Sequence, residues 1–109
     1  MKIIEVDLKN IRQNGIIVDL NNGFKIDFIY NHYDNFIYLS VLDNLENRIT
    51  GFNKLVPNVN YLGFNNNNYK EQLRCIKVNE FAEEKDYITP ENINKDYKFF
   101  LIGGENETI

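Results

Sequence analysis

The chain has 109 residues, of which 43% are hydrophobic, 26% charged and 14% aromatic, and its formal net charge is −4. This length predicts a single domain over residues 1–109, and the composition counts against intrinsic disorder, which needs low hydrophobicity and a high net charge. The scattered lysines and arginines do not form the basic clusters that nucleic acids and anionic membranes attract, so the expected partners are proteins.

Alternation of apolar and polar residues predicts β-strands along most of the chain. Residues 3–8 form the first predicted strand. Residues 16–20 and 24–30 form the next two, joined by the turn Asn21-Asn22-Gly23. Such a pair of strands predicts an antiparallel hairpin.

The register of this hairpin follows from its side chains. A two-residue loop would place Leu20 opposite Lys25 and mix apolar with charged groups on one face. A three-residue loop pairs Asp19 with Lys25 and gives Gly23 the left-handed conformation that such loops require. On the other face it produces three apolar pairs: Leu20 with Phe24, Val18 with Ile26, and Ile16 with Phe28. We therefore predict the three-residue loop.

The later strands are predicted over residues 36–42, 48–52, 54–56, 73–78 and 97–102. The first of these is nearly all apolar, which is typical of a central strand. Thr89-Pro90-Glu91-Asn92 predicts a single helical turn, with Thr89 as its N-cap and Pro90 at the first helical position. Short strands at this spacing predict an all-β fold, a small antiparallel barrel or sandwich with one short helical turn.

Two loops, residues 58–70 and 79–92, are longer than plain turns, and loops of this length are usually binding loops or disordered. The first carries Tyr61, Leu62, Phe64 and Tyr69. Because aromatic residues are enriched at interface cores, we expect the first loop to contact neighbouring subunits, and the second loop is a further candidate. The alternative is that these side chains fold back onto their own core.

The side chains that catalysis would need are few. Cys75 is the only cysteine, so no intrachain disulfide forms; it lies inside an alternating strand, where a buried structural role is expected. Ser40 lacks a nucleophile elbow, and His32 is the only histidine, so one His and one Cys fall short of a zinc site. We predict no catalytic, cofactor-binding or metal-binding residues, no cofactor and no enzymatic activity.

Other potential ligands and signals are equally sparse. The oxygens of residues 43–47 do not have the spacing of a calcium loop, so a solvated turn is expected there. The beginning of the chain lacks the apolar stretch of a signal peptide, and nowhere do 18 apolar residues follow one another. We expect synthesis in a reducing cytosol and no membrane association.

Several short motifs follow one another along residues 16–102. The second hairpin strand ends in Phe28-Ile29-Tyr30-Asn31, and the next predicted strand is followed by Asp43. Further motifs come later in the chain: Ile49-Thr50-Gly51-Phe52-Asn53-Lys54-Leu55-Val56-Pro57-Asn58, then Tyr61-Leu62, then Pro90 before the strand of residues 97–101. In this order the motifs resemble the baseplate plug family of contractile phage tails and phage-tail-like bacteriocins. The run of asparagines at 65–68 and the acidic residues 79–87 depart from that family.

The resemblance implies a structural, non-catalytic protein at the centre of the baseplate of a virion or phage-tail-like particle. It implies packing against hub, tube-initiating and wedge proteins and assembly as a homo-oligomer. Two other functions stay open at this point. A ligand- or sugar-binding β-barrel module would show a ligand-sized pocket, and a small carboxylate-dependent hydrolase would show two carboxylates facing one cleft.

Overall fold

The computed structural model of the chain describes residues 3–8, 11, 15–20, 23–62, 71–84, 87–93 and 95–103. Within them lie seven strands: β1 Ile3–Val6, β2 Ile16–Asp19, β3 Phe24–Asn31, β4 Phe36–Asp43, β5 Asn53–Lys54, β6 Gln72–Lys77 and β7 Tyr97–Ile102. The strands form two antiparallel sheets, with the orders β2-β3-β4-β5 and β1-β7-β6. The described residues contain no helix and neither sheet closes into a barrel, so the all-β prediction is confirmed in its sandwich form.

The core lies between the two sheets and is built from alternate residues of the strands. β3 contributes Phe24, Ile26 and Phe28, and every second residue of β4 and β7 is buried with them. The rings of Phe28 and Phe99 meet edge to face across the sandwich, with 5.4 Å between their centroids. Burial of these faces removes apolar area from water, which is the main force holding the sheets together.

The β2–β3 hairpin has the register that its side chains predict. Ile16 pairs with Phe28, Val18 with Ile26, and Asp19 with Lys25. The Leu20 N–H donates to the Phe24 carbonyl at 3.1 Å, and Gly23 has a φ of 95°. The prediction is therefore confirmed, although Asn21 and Asn22 lie outside the described residues.

β4 is the central strand that its apolar sequence indicates, since it pairs with β3 on one side and β5 on the other. Ile37, Leu39 and Val41 face the core, and all three are buried. On the opposite face Ser40 and Leu42 are buried as well. Burial on both faces explains why residues 36–42 show little alternation.

The predicted strand over residues 48–52 is wrong. Its pairing with β4 is limited to one isolated bridge between Leu42 and Arg48, and a regular ladder with β4 forms only at β5, beyond this segment. The Ile49 and Thr50 N–H groups both donate to the Val41 carbonyl, at 2.8 and 3.3 Å, so two residues oppose one, as in a β-bulge. The Val41 N–H donates instead to the Thr50 hydroxyl at 3.0 Å, so a side chain replaces the backbone acceptor of a regular ladder.

The predicted strand over residues 54–56 is shorter than expected, because β5 ends at Lys54. The Leu55 N–H still donates to the Ile37 carbonyl at 2.8 Å. The predicted helical turn is present as one hydrogen-bonded turn, in which the Ile93 N–H donates to the Thr89 carbonyl at 3.1 Å. The Thr89 hydroxyl accepts the Glu91 N–H at 3.2 Å, as expected of an N-cap.

Residues 58–62 cover the free edge of β6. The Asn58 and Tyr61 N–H groups donate to the carbonyls of Cys75 and Leu73, each at 2.9 Å. Leu62 is only 2% exposed, and the Tyr61 ring lies 6.1 Å from the Phe99 ring. Tyr61 and Leu62 therefore fold back onto their own core, and Phe64 and Tyr69 lie outside the described residues.

Candidate functional site

The three candidate catalytic side chains are not brought together. Cys75 is fully buried in β6, and burial raises the pKa of its thiol to about 12. Ser40 is buried in the other sheet, where its hydroxyl donates to the Thr50 carbonyl at 2.6 Å. His32 lies exposed in the β3–β4 turn and packs edge to face on Tyr30, at 4.6 Å between centroids. A thiol that stays protonated and a buried hydroxyl that donates to a carbonyl are poor nucleophiles.

The residues that resemble metal ligands in the sequence have a structural role instead. The Asp43 carboxylate accepts the backbone N–H groups of Leu45 and Asn47, each at 2.9 Å. The bond from Asn47 is the main reason why the pKa of Asp43 is lowered. In the part of the chain that the structure describes, no three His, Cys, Asp or Glu side chains are grouped to hold a metal ion. That part also contains no helix long and apolar enough to cross a membrane.

A cleft of about 180 Å³ is lined by residues of β1 and β2, by Asp7 and Leu20 next to these strands, and by Leu101 of β7. Its apolar walls carry three carboxylates, those of Glu5, Asp7 and Asp19. All three belong to exposed residues, and Glu5 pairs with Lys98 at 3.6 Å. A glycosidase needs one carboxyl shielded from water to act as an acid, and exposed carboxylates do not meet that requirement.

A second cleft, of about 380 Å³, lies between β5 and the segment that covers β6. Its volume is that of a small-ligand pocket. Two polar groups of its wall that could orient a ligand already have partners within the protein, however. The Tyr61 hydroxyl donates to the Lys54 carbonyl at 2.8 Å and accepts the Val56 N–H at 2.9 Å. The Asn60 side-chain oxygen accepts the N–H groups of Leu62 and Leu73.

The turn between β3 and β4 presents a fully exposed aromatic residue on a fixed backbone. Tyr33 is 100% exposed, and its N–H donates to the Asn31 side-chain oxygen at 2.8 Å. The Asp34 carboxylate accepts the Phe36 N–H at 2.9 Å and the Tyr38 hydroxyl. The bond from Tyr38 lowers the pKa of Asp34 and raises that of Tyr38. Asp34 is therefore ionised at neutral pH.

The loop between β6 and β7 meets this turn at the same end of the sandwich. The Asn35 side-chain amide donates to the Glu91 carboxylate at 3.1 Å. The Phe36 ring contacts Tyr87, at 5.2 Å between centroids, and the Lys54 ammonium lies over the Phe36 ring at 4.2 Å from its centroid. Further along the loop Phe81 is 90% exposed.

The negative charge of the chain is concentrated in this loop. Residues 78–96 contain six carboxylates and two lysines, a net charge of −4 that equals the net charge of the whole chain. The other residues therefore contain ten acidic and ten basic side chains and are balanced. The loop that carries the exposed ring of Phe81 thus also has a net charge equal to that of the whole chain.

The comparison with known proteins identifies the family. The family model of the cyanophage baseplate Pam3 plug gp18 matches residues 1–105. The chain belongs to this baseplate plug family. The resemblance seen in the sequence motifs is thus confirmed, and the chain has a structural role in a phage tail baseplate. No curated protein and no solved structure gives a significant match.

Sequence reasoning found the plug family but missed part of this end of the molecule. The first interface candidate in the sequence is the loop of residues 58–70, but the described residues of this loop cover the edge of β6. The sequence alone does show the acidic residues of the segment 79–87 and the aromatic residue Phe81. What the sequence does not reveal is that the β3–β4 turn lies against residues 87–91, because that contact joins positions far apart in the chain.

Proposed function

We propose that the chain is a non-catalytic subunit at the centre of a contractile phage-type tail baseplate, in its plug and hub region. There it packs against hub, tube-initiating and wedge proteins. The observation that carries this proposal is the match to the baseplate plug family over residues 1–105. A match of this length covers both sheets and both loops of the chain.

The chemistry of the described residues supports a role without catalysis. A protonated Cys75 thiol and the Ser40 hydroxyl bound to Thr50 both lie inside the fold. His32 packs on Tyr30 in the β3–β4 turn, whereas Cys75 lies in the other sheet. Each of these side chains has a packing or hydrogen-bonding role that requires no substrate.

We further propose that the protein works as a homo-oligomer in the particle and is made in the bacterial cytoplasm. Subunits arranged around a tail axis form rings through repeated contacts that close by rotation. A single buried cysteine suits folding in a reducing compartment.

The test is to delete the gene from the phage or tail-particle cluster that encodes it and to image the particles by cryo-electron microscopy. We expect density for the chain in the central baseplate of the wild-type particle and defective tails in the deletion strain. Mass spectrometry of purified tails measures its copy number. Tails that are complete, functional and devoid of this chain would refute the proposal.

The absence of catalysis is tested with His32→Ala, Ser40→Ala and Cys75→Ala. Each variant that retains the wild-type circular dichroism spectrum should restore particle activity to the deletion strain. A particle-associated hydrolase or transferase activity that one of these substitutions abolishes, with the fold intact, would contradict it.

A further inference from the structure

We infer that one end of the molecule docks on a basic protein surface of a neighbouring baseplate subunit. This end consists of residues 32–36, 78–84 and 87–91, and we call it the tip surface. The inference deepens the proposed function and rests on it, because it specifies the chemistry of a partner within the baseplate.

The tip surface presents aromatic anchors to solvent. Tyr33 and Phe81 are almost completely exposed. Val78 and Tyr87, which belong to the same loop as Phe81, are partly exposed. Large aromatic side chains are enriched at the centres of protein interfaces, where each removes a large apolar area from water. A partner that covers Tyr33 and Phe81 therefore gains more binding free energy than a surface of average composition offers.

The same type of local hydrogen bond orders the backbone at Tyr33 and at Phe81. The Tyr33 N–H donates to the side-chain oxygen of Asn31, and the Phe81 N–H donates to that of Asn79, at 2.8 and 3.1 Å. In each case an asparagine two residues before the aromatic residue fixes the turn that displays it. A backbone that is ordered before binding loses less conformational entropy in the complex.

The charge of the tip surface selects the partner. The residues of the tip surface include five carboxylates, those of Asp34, Glu80, Glu83, Glu84 and Glu91, and no lysine or arginine. Such a surface repels phosphate groups, which disfavours nucleic acids and anionic membranes as occupants. It also repels the same face of a second copy. A surface rich in lysine and arginine is attracted to it, which increases the association rate and the specificity.

The first experiment measures incorporation into particles. The deletion strain is complemented with the wild-type chain, with Tyr33→Ala/Phe81→Ala, or with Glu80→Lys/Glu84→Lys, and the copies per purified tail are counted by mass spectrometry. We expect each double substitution to reduce incorporation roughly tenfold or more, since truncated anchors and reversed charges both weaken docking.

Matched controls lie at the opposite end of β4, roughly 25 Å away for a strand of eight residues. Leu45→Ala removes an apolar side chain that is 78% exposed, and Glu46→Lys reverses a charge that pairs with Lys25 at 3.1 Å. Both should incorporate within about twofold of the wild type. Thermal unfolding of each purified variant checks that the fold is retained.

The outcomes separate the two proposals. If folded tip variants incorporate as well as the wild type, the docking inference fails while the baseplate role stands. If the wild-type chain itself is missing from the particles, the baseplate role fails and the inference fails with it.

A second experiment identifies the occupant. Phe81 is replaced by the photoreactive residue p-benzoylphenylalanine, particles are irradiated, and the cross-linked peptide is sequenced. We expect a peptide from another baseplate protein in which lysine and arginine outnumber aspartate and glutamate. A cross-link to a second copy of this chain, to an acidic peptide or to nucleic acid would overturn the inference.

Discussion

Cys75 illustrates how burial changes the chemistry of a side chain. It is completely buried between the sheets, and the loss of hydration raises the pKa of its thiol from 9.0 to about 12. The thiolate is the reactive form of cysteine, and at neutral pH this thiol holds its proton. A residue that looks like a possible nucleophile in the sequence is therefore part of the core.

The same shift predicts how stability depends on pH. Between pH 9 and pH 12 the unfolded chain loses the thiol proton while the folded chain keeps it, so the unfolded state is favoured as pH rises. We expect the free energy of unfolding to fall by at most about 1.4 kcal/mol per pH unit in this window from Cys75 alone. Below pH 9 both states hold the proton, and the thiol adds no pH dependence. Urea unfolding curves between pH 7 and pH 11 measure this slope.

The control for this prediction is Cys75→Ala, which removes the titrating group. A smaller decline should remain above pH 10 in the variant, because burial raises the pKa of Tyr61 and the hydrogen bond to Asp34 raises that of Tyr38. Identical slopes in the wild type and in Cys75→Ala would show that the thiol is not shielded from water in the folded state.

At the scale of single elements, the sequence predicts the β2–β3 hairpin well because its two faces differ in polarity. A slip of one residue would bring Leu20 opposite Lys25, so only one register keeps the apolar faces together. The segment of residues 48–52 has a similar polarity pattern but forms a bulge. The reason is a hydroxyl: Thr50 accepts the Val41 N–H, and no propensity rule anticipates that exchange.

Gly23 is the residue on which the hairpin turn depends. Its φ of 95° lies in a region that a Cβ atom makes unfavourable. We expect Gly23→Ala to lower the free energy of unfolding by about 1–2 kcal/mol, measured by urea unfolding. Gly51→Ala is the matched control, since an added Cβ there meets nothing within 4 Å and should change stability by less than about 0.5 kcal/mol. Equal effects of the two substitutions would show that backbone conformation does not set the cost.

At the scale of the whole molecule, the fold class follows from local patterns but the candidate site does not. Strand periodicity and turn residues are properties of short segments, and they predict an all-β fold, a small barrel or sandwich, directly. The tip surface depends instead on the packing of the β3–β4 turn against residues 87–91 through Asn35 and Glu91. Loop charge can be counted in a sequence, whereas the neighbour of a loop is fixed only when both sheets have packed.

That residues 1–109 form a single domain is still a prediction. The contact between the two sheets in the core allows this prediction to be tested. Phe28 of β3 and Phe99 of β7 meet edge to face, so each sheet supplies half of the same contact. If the sheets unfold together, Phe99→Leu should reduce the protection of the slowest amides in β3 and β4 as much as in β6 and β7, by about 1–2 kcal/mol. Hydrogen exchange measured strand by strand provides these values.

The matched control is Phe100→Leu, the same substitution one position further along β7. Phe100 pairs with Glu5 and Arg74 on the face of the sheet that points away from Phe28, so its loss should cost less than half as much protection. If Phe99→Leu instead weakens protection in β1, β6 and β7 alone, the two sheets unfold as separate units and the single-domain prediction is wrong. Equal losses in both sheets mean that the sheets unfold as one cooperative unit, as a single domain requires.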